Sequence, residues 1–237
     1  MFSGKSTLLL ERARELRARG LSVALVKPAL DDRYTGGVGG EKDVLVTHAG
    51  ARAQCVRVAR LGDLPARLGP ERWAALDAVC VDEGQFFEDL VEFSEAAAAA
   101  AGGEVEEEEE EIVEEKEGEE EERAAPRQPA ATAAAAAFRP KRVVIAALSG
   151  DYRRRPFGRV AELLPLADRV RALRASCFSC GAPAPFSVRL RGEDDAQVLV
   201  GGPEAYRPAC RACFFASCHA AAGRRRRGGD GAAAALP

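Results

Sequence analysis

Val79-Cys80-Val81-Asp82-Glu83-Gly84-Gln85-Phe86-Phe87 is the stretch on which the fold turns. β-Forming residues run without a break into two adjacent carboxylates, and a glycine, an amide and two aromatics follow. That is how a buried parallel strand ends at the ligand-binding edge of an α/β sheet. Side chains alternate across a strand, so Asp82 and Glu83 point to different sides. One carboxylate can hold Mg2+, directly or through water, while its neighbour takes a proton. An acidic turn after a core strand is the plainer reading of an isolated Asp-Glu pair. The opening of the chain, Met1-Phe2-Ser3-Gly4-Lys5-Ser6-Thr7, weighs against it.

Gly4-Lys5-Ser6-Thr7 leads into Leu8–Arg19, whose apolar residues fall at helical spacing, and Gly20 is a natural stop. A glycine loop that opens a helix surrounds phosphate oxygens with backbone N–H groups. A lysine adds mobile positive charge, and the hydroxyl after it ligates Mg2+. Lys5 and Ser6 fit those roles. In the full pattern G-x-x-x-x-G-K-[ST] the first glycine would fall two residues before Met1, so the chain is expected to be truncated at its start.

Leu21–Lys27 reads as the next strand, and Asp31-Asp32-Arg33-Tyr34 follows at its carboxyl side. Val44–Val46 and Cys55–Val58 are short strand candidates with a structural His48 between them, and Asp63–Leu68 and Glu71–Leu76 look helical. Phe87–Ala101 is helical, Lys141–Leu148 is a buried strand, and Val170–Ala175 is expected to be a last core strand. The loop Ser149–Gly158 carries three arginines and two aromatics, suited to phosphate charge and to the walls of a base pocket.

The net charge of −3 conceals an asymmetry. Glu104–Glu122 holds 14 Glu and one Lys, so the remainder carries about +10, which suits an anionic ligand. Glu104–Pro140 repels itself and has little to bury, which predicts a disordered insertion. Arg224–Arg227 reads as a solvated basic tail. No apolar run of about 18 residues occurs and no secretory leader opens the chain, so a soluble, cytoplasmic protein is expected, with organellar targeting left open.

In a reducing compartment seven cysteines point to metal binding rather than disulfides. Cys177-x-x-Cys180 and Cys210-x-x-Cys213 bracket two β-like runs, Phe186–Leu190 and Gln197–Val200. Two such knuckles about thirty residues apart place four thiolates in the closed tetrahedron of structural Zn2+. A redox dithiol is the competing reading. Cys218-His219 could supply substitute ligands, while Cys55 and Cys80 read as buried thiols.

In order and spacing these pieces resemble the cytosolic, type II thymidine kinase family. The matching stretches are MFSGKST, DDRY at Asp31–Tyr34, VDEGQFF at Val81–Phe87, VEF at Val91–Phe93, RRPFG at Arg154–Gly158, VGG at Val200–Gly202, Tyr206 and the cysteine pairs. The resemblance implies an α/β fold: a RecA-like, mostly parallel P-loop sheet flanked by helices, plus a small zinc-ribbon-like β lobe whose lasso closes over the nucleoside. The implied division is residues 1–103 and 141–175 for the core, 104–140 for the insertion, 176–215 for the lobe and 216–237 for a disordered tail.

By the same resemblance Glu83 is the catalytic base. Ser3, Gly4, Lys5, Ser6, Thr7, Asp31, Arg33, Asp82 and Gln85 serve ATP and Mg2+. Phe86, Leu148, Tyr152, Phe157 and Tyr206 form the nucleoside pocket, with the backbone of Gln197, Val198, Leu199, Val200 and Gly201 on the thymine edge. The family places Gly-Pro before this methionine, a Phe where Tyr152 stands and commonly an apolar residue where Gln197 stands. The implied activity is ATP- and Mg2+-dependent phosphorylation of thymidine, with deoxyuridine as a second acceptor, for DNA precursor salvage by a homotetramer that contacts neither membrane nor nucleic acid. The alternative is a catalytically silent relative that keeps nucleoside and zinc binding. A zinc-ribbon nucleic-acid binder is a weaker third.

Overall fold

The computed structural model of the protein describes residues 2–31, 43–47, 50–99, 140–190, 196–199 and 201–217. Arg33, His48, Val200, Cys218 and His219 lie outside the described residues, as do residues 104–139 of the expected insertion and 218–237 of the expected tail.

Helix α1, Lys5–Ala18, buries Leu9, Leu10, Ala13 and Leu16 on one stripe and leaves its arginines in solvent. It stops where Gly20 turns left-handed (φ 81°) and donates its N–H to the Arg17 carbonyl. β1, Val23–Pro28, follows. The hairpin of β2, Val44–Val46, and β3, Arg52–Gln54, comes next, and then β4, Val56–Val58. The expected strand Cys55–Val58 thus belongs to a longer extended stretch that changes partner at Cys55. Before it the chain pairs antiparallel with β2, and after it parallel with β1.

Two short helices, α2 (Leu64–Leu68) and α3 (Pro70–Ala74), meet at Gly69 (φ 86°) and lead to β5, Ala78–Asp82, every residue of which is buried. Helix α4 is Leu90–Ala98 and β6 is Arg142–Ala146. The four strands β4, β1, β5 and β6 form one parallel sheet in that spatial order. Strand alternation sorts the core into two layers. Leu25 and Cys80 face α1, whereas Val26, Val79 and Val81 face Leu64, Leu90 and Phe93 of α2 and α4. Helices therefore cover both faces, as a buried parallel sheet requires.

The cysteine lobe holds two small antiparallel ladders: β7 (Ala175–Ser176) with β8 (Pro183–Ala184), and β9 (Phe186–Arg189) with β10 (Tyr206–Ala209). Residues 211–217 are helical, two positions past the expected lobe boundary. The expected core strand Val170–Ala175 is not one. Only its last residue enters a strand, in the lobe, and Val170 is 58% exposed. Arg171 and Arg174 interrupt that run, Arg169 precedes it, and together they keep it in water. The expected β-like run Gln197–Val200 forms no strand over 197–199.

Candidate active site

The carboxyl ends of the parallel strands and the amino end of α1 converge on one edge. Gly4 takes a left-handed conformation (φ 78°) at the N-cap, which lets α1 begin directly at Lys5. The Ser6 hydroxyl lies 3.0 and 2.9 Å from the two carboxylate oxygens of Asp82. The phosphate-loop hydroxyl and the strand-end carboxylate therefore share one spot, and both are oxygen ligands suited to Mg2+. Ser3, Lys5 and Thr7 are half-buried around it. Asp31, 6% exposed, lies just past the end of β1, the strand beside β5.

Glu83 follows Asp82 with a left-handed backbone (φ 51°). A side chain in that conformation costs about 1 kcal/mol, and such strain gathers at functional sites. The next residue must be glycine, because a Cβ on Gly84 would lie 2.7 Å from Ile145 Cγ2. Gln85, 4% exposed, fixes the carboxylate. Its Nε2 donates to Glu83 Oε2 at 2.5 Å, and its Oε1 accepts the Leu148 N–H at 3.0 Å. With both ends of the amide engaged, Glu83 is tied to the loop after β6.

That loop presses hard on the site. A Cβ on Gly158 (φ 54°) would stand 2.2 Å from the Gln85 carbonyl oxygen, so only glycine permits the approach. Phe157 is thereby brought edge-on to Phe86, 5.6 Å between ring centres. Glu83, Gln85, Phe86, Leu148, Tyr152 and Phe157 line one pocket, and Gln197, Leu199, Gly201 and Tyr206 of the lobe close it. The Tyr206 hydroxyl donates to the Leu199 carbonyl at 2.9 Å, and burial pushes its pKa up. Val198 is 41% exposed and does not line the pocket.

Three further lining residues were missed in the sequence: Gly150, Asp151 and Ser187. Asp151 is the consequential one. Its Oδ1 accepts the N–H groups of Arg153 and Arg155, both at 2.8 Å, and so shapes the loop. A Ser-Gly-Asp run before three arginines carried that turn signal.

In the lobe the Sγ atoms of Cys177, Cys180, Cys210 and Cys213 all lie within 4.8 Å of one another, with Cys180 and Cys210 3.6 Å apart. Four sulfurs around zinc stand about 3.8 Å apart, so the set fits a four-cysteine zinc site. The backbone N–H of Cys210, with those of Cys180 and Ser179, holds the Cys177 thiol down to about 6. Crowding by the sulfurs of Cys210, Cys180 and Cys177 pushes Cys213 up to about 12. Such a set sheds all its protons together only against a cation.

The family model for thymidine kinase matches residues 1–103 and 130–214. "Thymidine kinase a" of Arabidopsis thaliana is 35% identical over 211 residues, which is 89% of this chain and 70% of that protein. "Thymidine kinase" of Oryza sativa subsp. japonica is 34% identical over 212 residues, 89% of this chain and 62% of the relative. With this match laid over a phosphate loop, a strand-end acidic pair and a lobe built on four cysteines, the chain belongs to the thymidine kinase family and is an enzyme of the kinase class.

Proposed function

We propose that the chain transfers the γ-phosphoryl group of ATP to the 5′-hydroxyl of thymidine, giving dTMP, with deoxyuridine as a second acceptor. The observation that carries this is the Ser6 hydroxyl on the Asp82 carboxylate, one residue from a Glu83 that faces the aromatic pocket. Phosphoryl transfer asks a protein for alignment and charge stabilisation more than for covalent help.

Backbone N–H groups at Gly4–Thr7 and the Lys5 ammonium bind the triphosphate, with Ser3 and Asp31 flanking them. Ser6 and Asp82 would hold Mg2+, which when bound neutralises charge building on the phosphate oxygens. Glu83, oriented by Gln85, accepts the proton of the nucleoside hydroxyl as it attacks phosphorus. Phe86, Phe157, Tyr152 and Tyr206 enclose the base and exclude water. Cys177, Cys180, Cys210 and Cys213 would hold structural Zn2+ and with it keep Tyr206 and residues 196–199 at the mouth of the pocket.

Glu83→Ala is expected to lower thymidine turnover by about 10²–10⁴-fold while ATP binding persists. Turnover equal to the unsubstituted chain would remove Glu83 from its role. If the unsubstituted chain binds thymidine but phosphorylates none, the nucleoside-binding alternative replaces the enzyme.

A further inference from the structure

We propose that Asp151 and Gln197 form a latch that holds residues 196–199 across the pocket before substrate arrives, making both of them positioning residues for the nucleoside. The proposal rests on the thymidine kinase reading and adds a device outside the phosphate loop and the acidic pair. Asp151 is 7% exposed, and its two oxygens divide their work. Oδ1 is committed to the N–H groups of Arg153 and Arg155, so the carboxylate cannot swing. Oδ2 accepts Gln197 Nε2 at 3.0 Å, and the same Nε2 donates to the Pro156 carbonyl at 3.0 Å. Both amide protons are therefore used. A flipped amide would set its oxygen against a carboxylate and a carbonyl, so the acceptors dictate its orientation.

The partners belong to different parts of the fold: Asp151 and Pro156 to the loop after β6, and Gln197 to the lobe. Within the lobe the segment is held at its ends, where Arg189 donates to the Ala196 carbonyl at 2.6 Å and Tyr206 to the Leu199 carbonyl. The Gln197 side chain carries the tie across to the core between those two points. Ordering residues 196–199 in advance removes that entropy cost from nucleoside binding, an effect that appears in KM. Gln197 is itself exposed, so water competes for its amide and the effect stays modest, about fivefold.

The experiment uses the full chain and four forms: unsubstituted, Gln197→Leu, Asp151→Asn, and the double variant D151N/Q197L. Asp151→Asn points one amide N–H2 at another and breaks the latch. The double variant D151N/Q197L removes both partners of the same tie, because no carboxylate at 197 could replace the amide: its oxygen would face the Pro156 carbonyl. Each single substitution is expected to raise the thymidine KM about fivefold, with a smaller change in kcat, and to speed deuterium exchange at the amides of 196–199 in nucleoside-free protein. The double variant is expected to be no worse than the worse single one, whereas two unrelated packing defects would add. Gln197→Leu leaves Asp151's hold on its own loop intact, so it remains informative if Asp151→Asn fails to fold. Single variants that change neither KM nor exchange, or a double variant whose losses are those of the two single ones added together, overturn the latch. A chain that never phosphorylates thymidine overturns the kinase reading, while the exchange pattern still decides the latch.

Discussion

In the core, Leu16, Val26, Ala78, Val79, Cys80 and Val81 are each 0% exposed, whereas the lobe gathers its buried cluster from Ala175, Cys177 and Ala184. The partly buried neighbours of that cluster are Phe2 and two more of the four gathered cysteines, Cys210 and Cys213. Fixing about 40 residues of backbone costs about 1–2 kcal/mol each. Even with the buried Ala205, Tyr206, Ala209 and Phe214 these residues are too few to offset that, while the two apolar layers around the sheet can. The core therefore specifies itself by burial, and the lobe depends on what its four sulfurs bind.

The largest effect should come from breaking that dependence. Chelation of zinc, or Cys210→Ser, is expected to unfold the lobe and abolish thymidine turnover, since Tyr206 and residues 196–199 go with it. Thiol reagents should then label the remaining lobe cysteines rapidly. Fluorescence of Trp73, the one tryptophan, should stay native, because its ring packs 6.1 Å from Phe93 in the core. Loss of the Trp73 signal together with zinc would mean that the two regions fold as one, and the contrast would fail.

A smaller effect tests the other side. Leu16 packs in the α1 layer with Ala13, Leu25 and Ala78, so Leu16→Ala is expected to cost about 2–5 kcal/mol of core stability. Denaturant unfolding followed at Trp73 measures it, and zinc affinity should not change.

The same contrast explains what the sequence disclosed. β5 was legible because Val79, Cys80 and Val81 are buried on both faces, and α1 because Leu9, Leu10, Ala13 and Leu16 mark one stripe. That four cysteines would cluster was legible from spacing alone. β10 was not: Tyr206–Ala209 contains Arg207 and Pro208, and it is held by antiparallel register with β9 and by the Phe178 N–H on the Pro208 carbonyl. Val170–Ala175 misled for the converse reason, an apolar-looking run with no sheet position to fill. At the site, Asp82 and Glu83 were visible as a motif. Asp151 was hidden because its importance lies in backbone N–H groups two and four residues on and in an amide 46 positions away.

The smallest effect separates the regions by pH. Burial pushes the Cys80 thiol from 9.0 up to about 11, against smaller opposing pulls from Arg17 and Arg12. Below pH 9 the thiol is protonated in folded and unfolded chains alike, and its stabilising contribution is complete. As pH rises from 9 toward 11 the unfolded chain gives up the proton first, so core stability falls, by up to about 3 kcal/mol for this group. Cys55 is raised to about 11 by the same cause and adds to the slope, so Cys80→Ala should flatten the alkaline loss without removing it. Unfolding at pH 8 and pH 10.5, read at Trp73, measures this, and an equal slope in the variant would show that Cys80 does not titrate with unfolding. The lobe should respond in the opposite sense: its sulfurs would hold zinc as thiolates, so acid and not alkali should release the metal. One protein with an alkali-sensitive core and an acid-sensitive lobe is what two different sources of stability require.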